Sequence, residues 1–130
     1  MREEIDIPLD DNKKKQKIEF LKKRKFSDFR IHNYYNKGSY IKHGVELKEI
    51  QETYPKFDKI INVFKRPAKV GYKYSFVYKI EETKYLYLCF YLDENPPKFF
   101  NAFYNYTKQE KHLKRMVQKW LIKSAANRLQ

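Results

Sequence analysis

VGYKYSFVYKIEETKYLYLCFYL, residues 70–92, decides the fold. Val70, Tyr72, Tyr74, Phe76, Tyr78 and Ile80 alternate with Gly71, Lys73, Ser75, Val77 and Lys79, a period of two rich in aromatic side chains. Successive residues of a strand point to opposite faces, so this pattern predicts a half-buried strand. The run KYLYLCFYL over 84–92 is apolar on both faces, as a strand inside a sheet must be. Glu81, Glu82 and Thr83 between the two predict a hairpin connection.

Working outward, Ile60, Ile61, Val63 and Phe64 predict a strand broken at Pro67, and KFFNAFYNY over 98–106 predicts another after the turn residues DENPP. Four consecutive strands with short links, about 57–66, 70–80, 84–92 and 98–106, imply a four-stranded antiparallel meander. Before it, ELKEIQETY spaces Leu47, Ile50 and Tyr54 as a helix over 46–54 stopped by Pro55. Further upstream, KKKQKIEFLKKRKF places eight basic residues between Lys13 and Lys25 around Ile18, Leu21 and Phe26, predicting a short basic helix. Residues 27–45 fit neither period, and Gly44 reads as the end of an element. After the sheet, TKQE from Thr107 is a capping-box pattern opening a helix over 108–129. Leu113, Met116, Val117, Trp120, Leu121 and Ser124 share one side of it; Lys108, Lys111, Arg115, Lys119 and Lys123 share the other. The expectation is an α+β domain whose last helix packs one face on the sheet and presents a basic ridge.

The 130 residues suit one core, and twelve tyrosines and ten phenylalanines supply the area to fill it. Residues 1–12 carry a net charge of −4 and read as a flexible acidic arm, leaving +17 for the single domain over 13–130. A field of that size draws polyanions, although an AT-rich genome would also raise the lysine count. One cysteine, Cys89, excludes an intramolecular disulfide and a thiolate zinc cluster. An acidic N-terminus and the lack of a long apolar run lead to the expectation of a cytoplasmic protein without membrane contact.

No phosphate-binding glycine loop, zinc-protease motif or aspartate-rich metal loop is present, so neither a cofactor nor a metal is expected. What remains suits metal-free cleavage of RNA, whose own 2′-hydroxyl is the nucleophile. Such a reaction needs a base, a cation for the developing charge and an acid for the leaving oxygen. Of the three histidines, His112 falls on the exposed ridge, while His32 and His43 are candidates with a structural role as the alternative. Arg66, beside Pro67, is a candidate phosphate contact or a solvated strand-end charge. Tyr72, Tyr74 and Tyr78 form a base-stacking platform if their face is open, and core if the C-terminal helix covers it.

The order of these segments, with KHGVELKEIQETY at 42–54 before the strands and NYTKQE at 105–110 before a helix, resembles the BrnT-like and RelE-like ribonuclease toxins over about residues 30–120. The resemblance implies helices placed before an antiparallel sheet, metal-independent endoribonuclease activity and an acidic, antitoxin-like protein partner. His43 matches the Lys-His-Gly motif of that family, and Thr107, Lys108 and Glu110 match its last helix start. The family's arginine falls at Tyr104, so Arg66 or Lys73 would have to supply the cation.

Two functions are therefore expected to compete, ahead of a third, a basic module docking on an acidic protein or an anionic membrane. One is an RNA endonuclease of toxin type with His43, His32, Arg66 and Tyr104 at its centre. The other is a non-catalytic nucleic-acid-binding protein of a phage or mobile element. In both, RNA is expected ahead of DNA, gripped by Lys22, Lys23, Arg24 and Lys25 of the first helix, by Lys73, and by the ridge of the last.

Overall fold

The alternating run around Phe76 forms the strand on which the sheet is built. The computed structural model of the chain describes residues 6–31, 45–106 and 117–123. Within them the elements are β1 (Ile7–Pro8), α1 (Asp11–Lys22), β2 (Arg30–Ile31), α2 (Leu47–Thr53), β3 (Ile60–Pro67), β4 (Tyr72–Glu81), β5 (Lys84–Tyr91) and β6 (Lys98–Asn105). A helical segment, α3, covers 117–123.

Strands β3 to β6 pair antiparallel in chain order, as their alternation predicts. The sheet nevertheless has six strands, in the order β1-β3-β4-β5-β6-β2. Because β2 runs parallel to β6, the sheet is mixed, and the expected four-stranded antiparallel sheet is corrected accordingly. Both added strands are two residues long, too short to show any period, and each is placed by the neighbour it pairs with. Pro8 is tolerated because β1 is an outer strand, where a missing N–H breaks no inner ladder. The third strand also starts at Ile60 rather than near 57, since Phe57–Lys59 forms a 3-10 turn.

Register sorts the side chains. Val63, Phe76, Leu88 and Ala102 form one cross-strand row on the first face. Leu21 of α1 and Ile50 and Tyr54 of the α2 end pack over it with Phe26 and Phe29. Each large side chain buried in this way contributes about 1.5–3 kcal/mol, so this packed layer is a main source of stability. On the second face Phe64, Val77, Tyr85, Tyr87 and Cys89 are buried as well, with Ile61, Phe100 and Phe103 packed against them.

Tyr54 joins the layers. Its hydroxyl lies 2.6 Å from the Leu21 carbonyl and 3.0 Å from that of Arg24, at the end of α1. The Tyr78 hydroxyl in turn donates to the Tyr54 carbonyl at 2.9 Å. Helix α1 starts where Asp10 accepts from the Lys13 amide at 2.8 Å, an N-cap that satisfies one orphan donor.

Two expectations are revised by these contacts. Residues 6–12, read as part of a flexible arm, belong to the fold: they supply β1, the α1 cap and its first turn. In α3, Trp120 and Leu121 of the expected apolar face are 39% and 54% exposed, while Leu113, Met116 and Ser124 of that face lie outside the described residues. The first sheet face is already filled by Leu21, Phe26, Phe29, Ile50 and Tyr54. No helix among the described residues is long and apolar enough to cross a membrane.

Candidate nucleic-acid interface

The basic residues of α1 and of the segment that follows it to Lys25 divide by position. Lys13, Lys15, Lys23 and Lys25 are exposed, whereas Lys14 and Lys17 are half-buried on the side that meets the sheet. The Lys14 ammonium lies 3.5 Å from the Ile61 carbonyl and 3.6 Å from the Asp11 carboxylate. Lys17 places its ammonium 4.6 Å from the centre of the Tyr74 ring. Lys13 stands one turn before Lys17 and is exposed.

The β3–β4 hairpin continues this surface. Lys65, cross-strand from Tyr74, holds its ammonium 4.7 Å from the centre of the Tyr72 ring. The Tyr72 and Tyr74 rings are 6.3 Å apart, inclined at 59°. Two tyrosines and two ammonium groups thus form one cluster, and such contacts contribute about 0.5–1 kcal/mol each where solvent reaches them. Burial raises the Tyr74 pKa, with the charge of Asp93 adding to it, so the phenol is neutral and offers an uncharged ring. Gly71 makes the hairpin possible: its φ is +65°, and a Cβ there would collide with the Asp93 side chain. The Asp93 carboxylate accepts from the Tyr72 amide at 3.0 Å and so fixes the backbone under the ring.

The other predicted contacts divide further. Lys22 pairs with Glu19 at 3.3 Å. Arg24 lies 3.5 Å from the centre of the Phe20 ring and donates to the Phe20 carbonyl at 2.9 Å, so it braces the helix end. Lys119 is exposed on α3 and Lys123 is half-buried there. His32, His43, Lys108, Lys111 and Arg115 lie outside the described residues, as do the Lys-His-Gly motif and the Thr107 cap.

Arg66 and Tyr104, the two described members of the expected catalytic set, are both engaged and far apart. Arg66 binds Asp6 through two hydrogen bonds of 2.7 and 2.9 Å, a bidentate pair that ties β1 to β3. Lys73 is its cross-strand neighbour, half-buried beside Tyr91. The Tyr104 hydroxyl donates to Glu49 of α2 at 2.6 Å, and Lys84 covers its ring at 4.6 Å. Burial raises the Tyr104 pKa, and the hydrogen bond and charge of Glu49 raise it further, so it is a weak acid and no base at neutral pH. Arg66 aligns with Lys73, and Tyr104 aligns through Leu86 with Tyr78. Five positions on β4 separate those rows, about 17 Å at the rise of a strand, and an odd separation puts the two side chains on opposite faces.

Lys17, Lys65, Asp6 and Glu49 are the functional neighbours that pattern reading missed. Alternation alone separates Lys65 from Arg66, since adjacent strand residues face opposite ways, and it points Lys65 toward the tyrosines of β4. Nothing local marks Asp6 or Glu49, whose partners lie far along the chain. Among the described residues no cluster of histidine, cysteine and acidic groups could hold a metal ion. Cys89 is buried with its thiol pushed up to about 12, chiefly by burial, and offers no thiolate. Comparison with protein-family models, curated proteins and solved structures found no match to this chain.

Proposed function

We propose that this protein binds nucleic acid, RNA in preference to DNA, through the flank of α1 and the β3–β4 hairpin. The observation that carries the proposal is the convergence of Lys17 and Lys65 on Tyr74 and Tyr72, within a domain whose residues 13–130 have a net charge of +17. Ammonium groups neutralise phosphates, while aromatic rings meet unpaired bases, which RNA loops and ends present more often than duplex DNA does.

Cleavage by 2′-hydroxyl attack requires a base, a cation and an acid around one phosphate. Arg66 and Tyr104 do not meet that requirement together, because they stand on opposite faces of the sheet and each is held by a carboxylate. Arg66 and Tyr104 therefore do not share one phosphate, and the proposal rests on the binding contacts of Lys17 and Lys65.

An acidic protein is the other partner that positive charge would attract. Competition separates the two. Unlabelled single-stranded RNA should displace labelled RNA from the protein at least about tenfold more effectively than polyglutamate matched for charge, because only RNA also offers bases to the rings. Equal displacement by both would contradict the proposal.

A further inference from the structure

We infer that Tyr72 is a base-stacking position for single-stranded RNA, with Lys65 as the adjoining phosphate contact. This rests on the RNA-binding reading above and narrows it to one strand class and one ring.

The inference begins from an exception within a row. On the first face of β4, Tyr74 and Phe76 and Tyr78 are covered and belong to the core, whereas Tyr72 at the end of the same row is 37% exposed. The ring is nevertheless held. Lys65 lies over it, Tyr74 meets it at 59°, and Pro67 is its cross-strand partner. Beneath it, the Tyr72 amide donates to Asp93, and Gly71 keeps the turn in a conformation closed to other residues. The Asp93 carboxylate is thereby turned to the backbone amide. An aromatic ring held this firmly in solvent loses little entropy on binding.

Its surroundings select the ligand. Val70, two residues before it in the same hairpin, is a second exposed apolar side chain. Lys65 sets positive charge at the ring, Lys17 sets it at the neighbouring Tyr74, and Lys69 is exposed in the connecting turn. An apolar plane edged by cations fits a base with its flanking phosphates, the combination used by single-strand binders. A duplex keeps its base faces stacked internally and would meet only the lysines.

The test uses the full chain, a single-stranded RNA containing 2-aminopurine, and the duplex RNA of the same sequence. Wild-type protein should quench the 2-aminopurine fluorescence on binding. Tyr72→Ala should weaken single-strand binding about tenfold and abolish the quenching, Tyr72→Trp should restore both, and duplex affinity should change less than about twofold. Thermal unfolding of each variant checks the fold, and the tryptophan variant keeps the test decisive if alanine loosens the hairpin. If Tyr72→Ala binds and quenches as wild type does, the stacking position is overturned while RNA binding stands. If wild-type protein binds neither RNA, the underlying reading fails with it.

Discussion

At the scale of single residues, Arg66 and Tyr104, the two described members of the expected catalytic set, are structural ties. Arg66 and Asp6 form a bidentate pair with side chains 38% and 19% exposed, so solvent screens it and its worth is about 1 kcal/mol. Arg66→Ala should lower stability by roughly that amount in urea unfolding while changing RNA affinity less than about twofold. A large loss of affinity with unchanged stability would return Arg66 to the binding surface. Tyr54→Phe removes the donor to the carbonyls closing α1 and should cost about 1–2 kcal/mol. The ring packing stays in place, so an unchanged unfolding midpoint would mean that water replaces the hydroxyl.

Ionisation gives another residue-scale prediction. Burial raises the pKa of Tyr54, Tyr74, Tyr78 and Tyr104 above the ordinary value of 10.0. In the folded state these phenols keep their protons at a pH where the unfolded chain has lost them. Their contribution is thus fully present below pH 10 and is lost as the pH climbs through the raised folded values. Absorbance titration should show a class of tyrosines that ionises only as the far-ultraviolet circular dichroism collapses. Ionisation of every tyrosine near pH 10 in a protein that stays folded would contradict the burial described here. Cys89 should likewise resist thiol reagents until unfolding, since its thiol lies near 12.

At the scale of elements, legibility followed length and local pattern. The strands β3 to β6 could be read because eight to ten residues carry a visible alternation between turn signals. β1 and β2, two residues each, exist only through the strands they pair with, and no local pattern announces them. The choice between platform and core for the β4 tyrosines was stated by the sequence and decided by α1 and α2, which cover Tyr74 and Tyr78 and leave Tyr72 at the edge. For the binding surface, the lysine-rich α1 was evident, but its division was not. Which lysines point outward depends on how Leu21 and Ile18 seat the helix on the core. The split predicts that charge reversal at Lys13, Lys15 and Lys23 weakens RNA binding more than reversal at Lys22 and Arg24. Gel-shift titrations of the two variants check it, and equal losses would mean that charge alone governs affinity.

At the scale of the whole molecule, the positive charge is only partly neutralised inside the fold. Asp6, Glu19, Glu82 and Glu94 each pair with a basic residue, while Lys13, Lys15 and Lys23 near α1 and Lys69 in the hairpin stay exposed. A molecule built this way should bind by releasing counterions, with the rings adding sequence-tolerant contact. The most direct test is fluorescence anisotropy of a labelled single-stranded RNA titrated with protein over a series of salt concentrations. The account predicts a linear fall of log K with log salt, of roughly 0.7 per phosphate contacted. Affinity that is undetectable at low salt, or unchanged as salt rises, would contradict it.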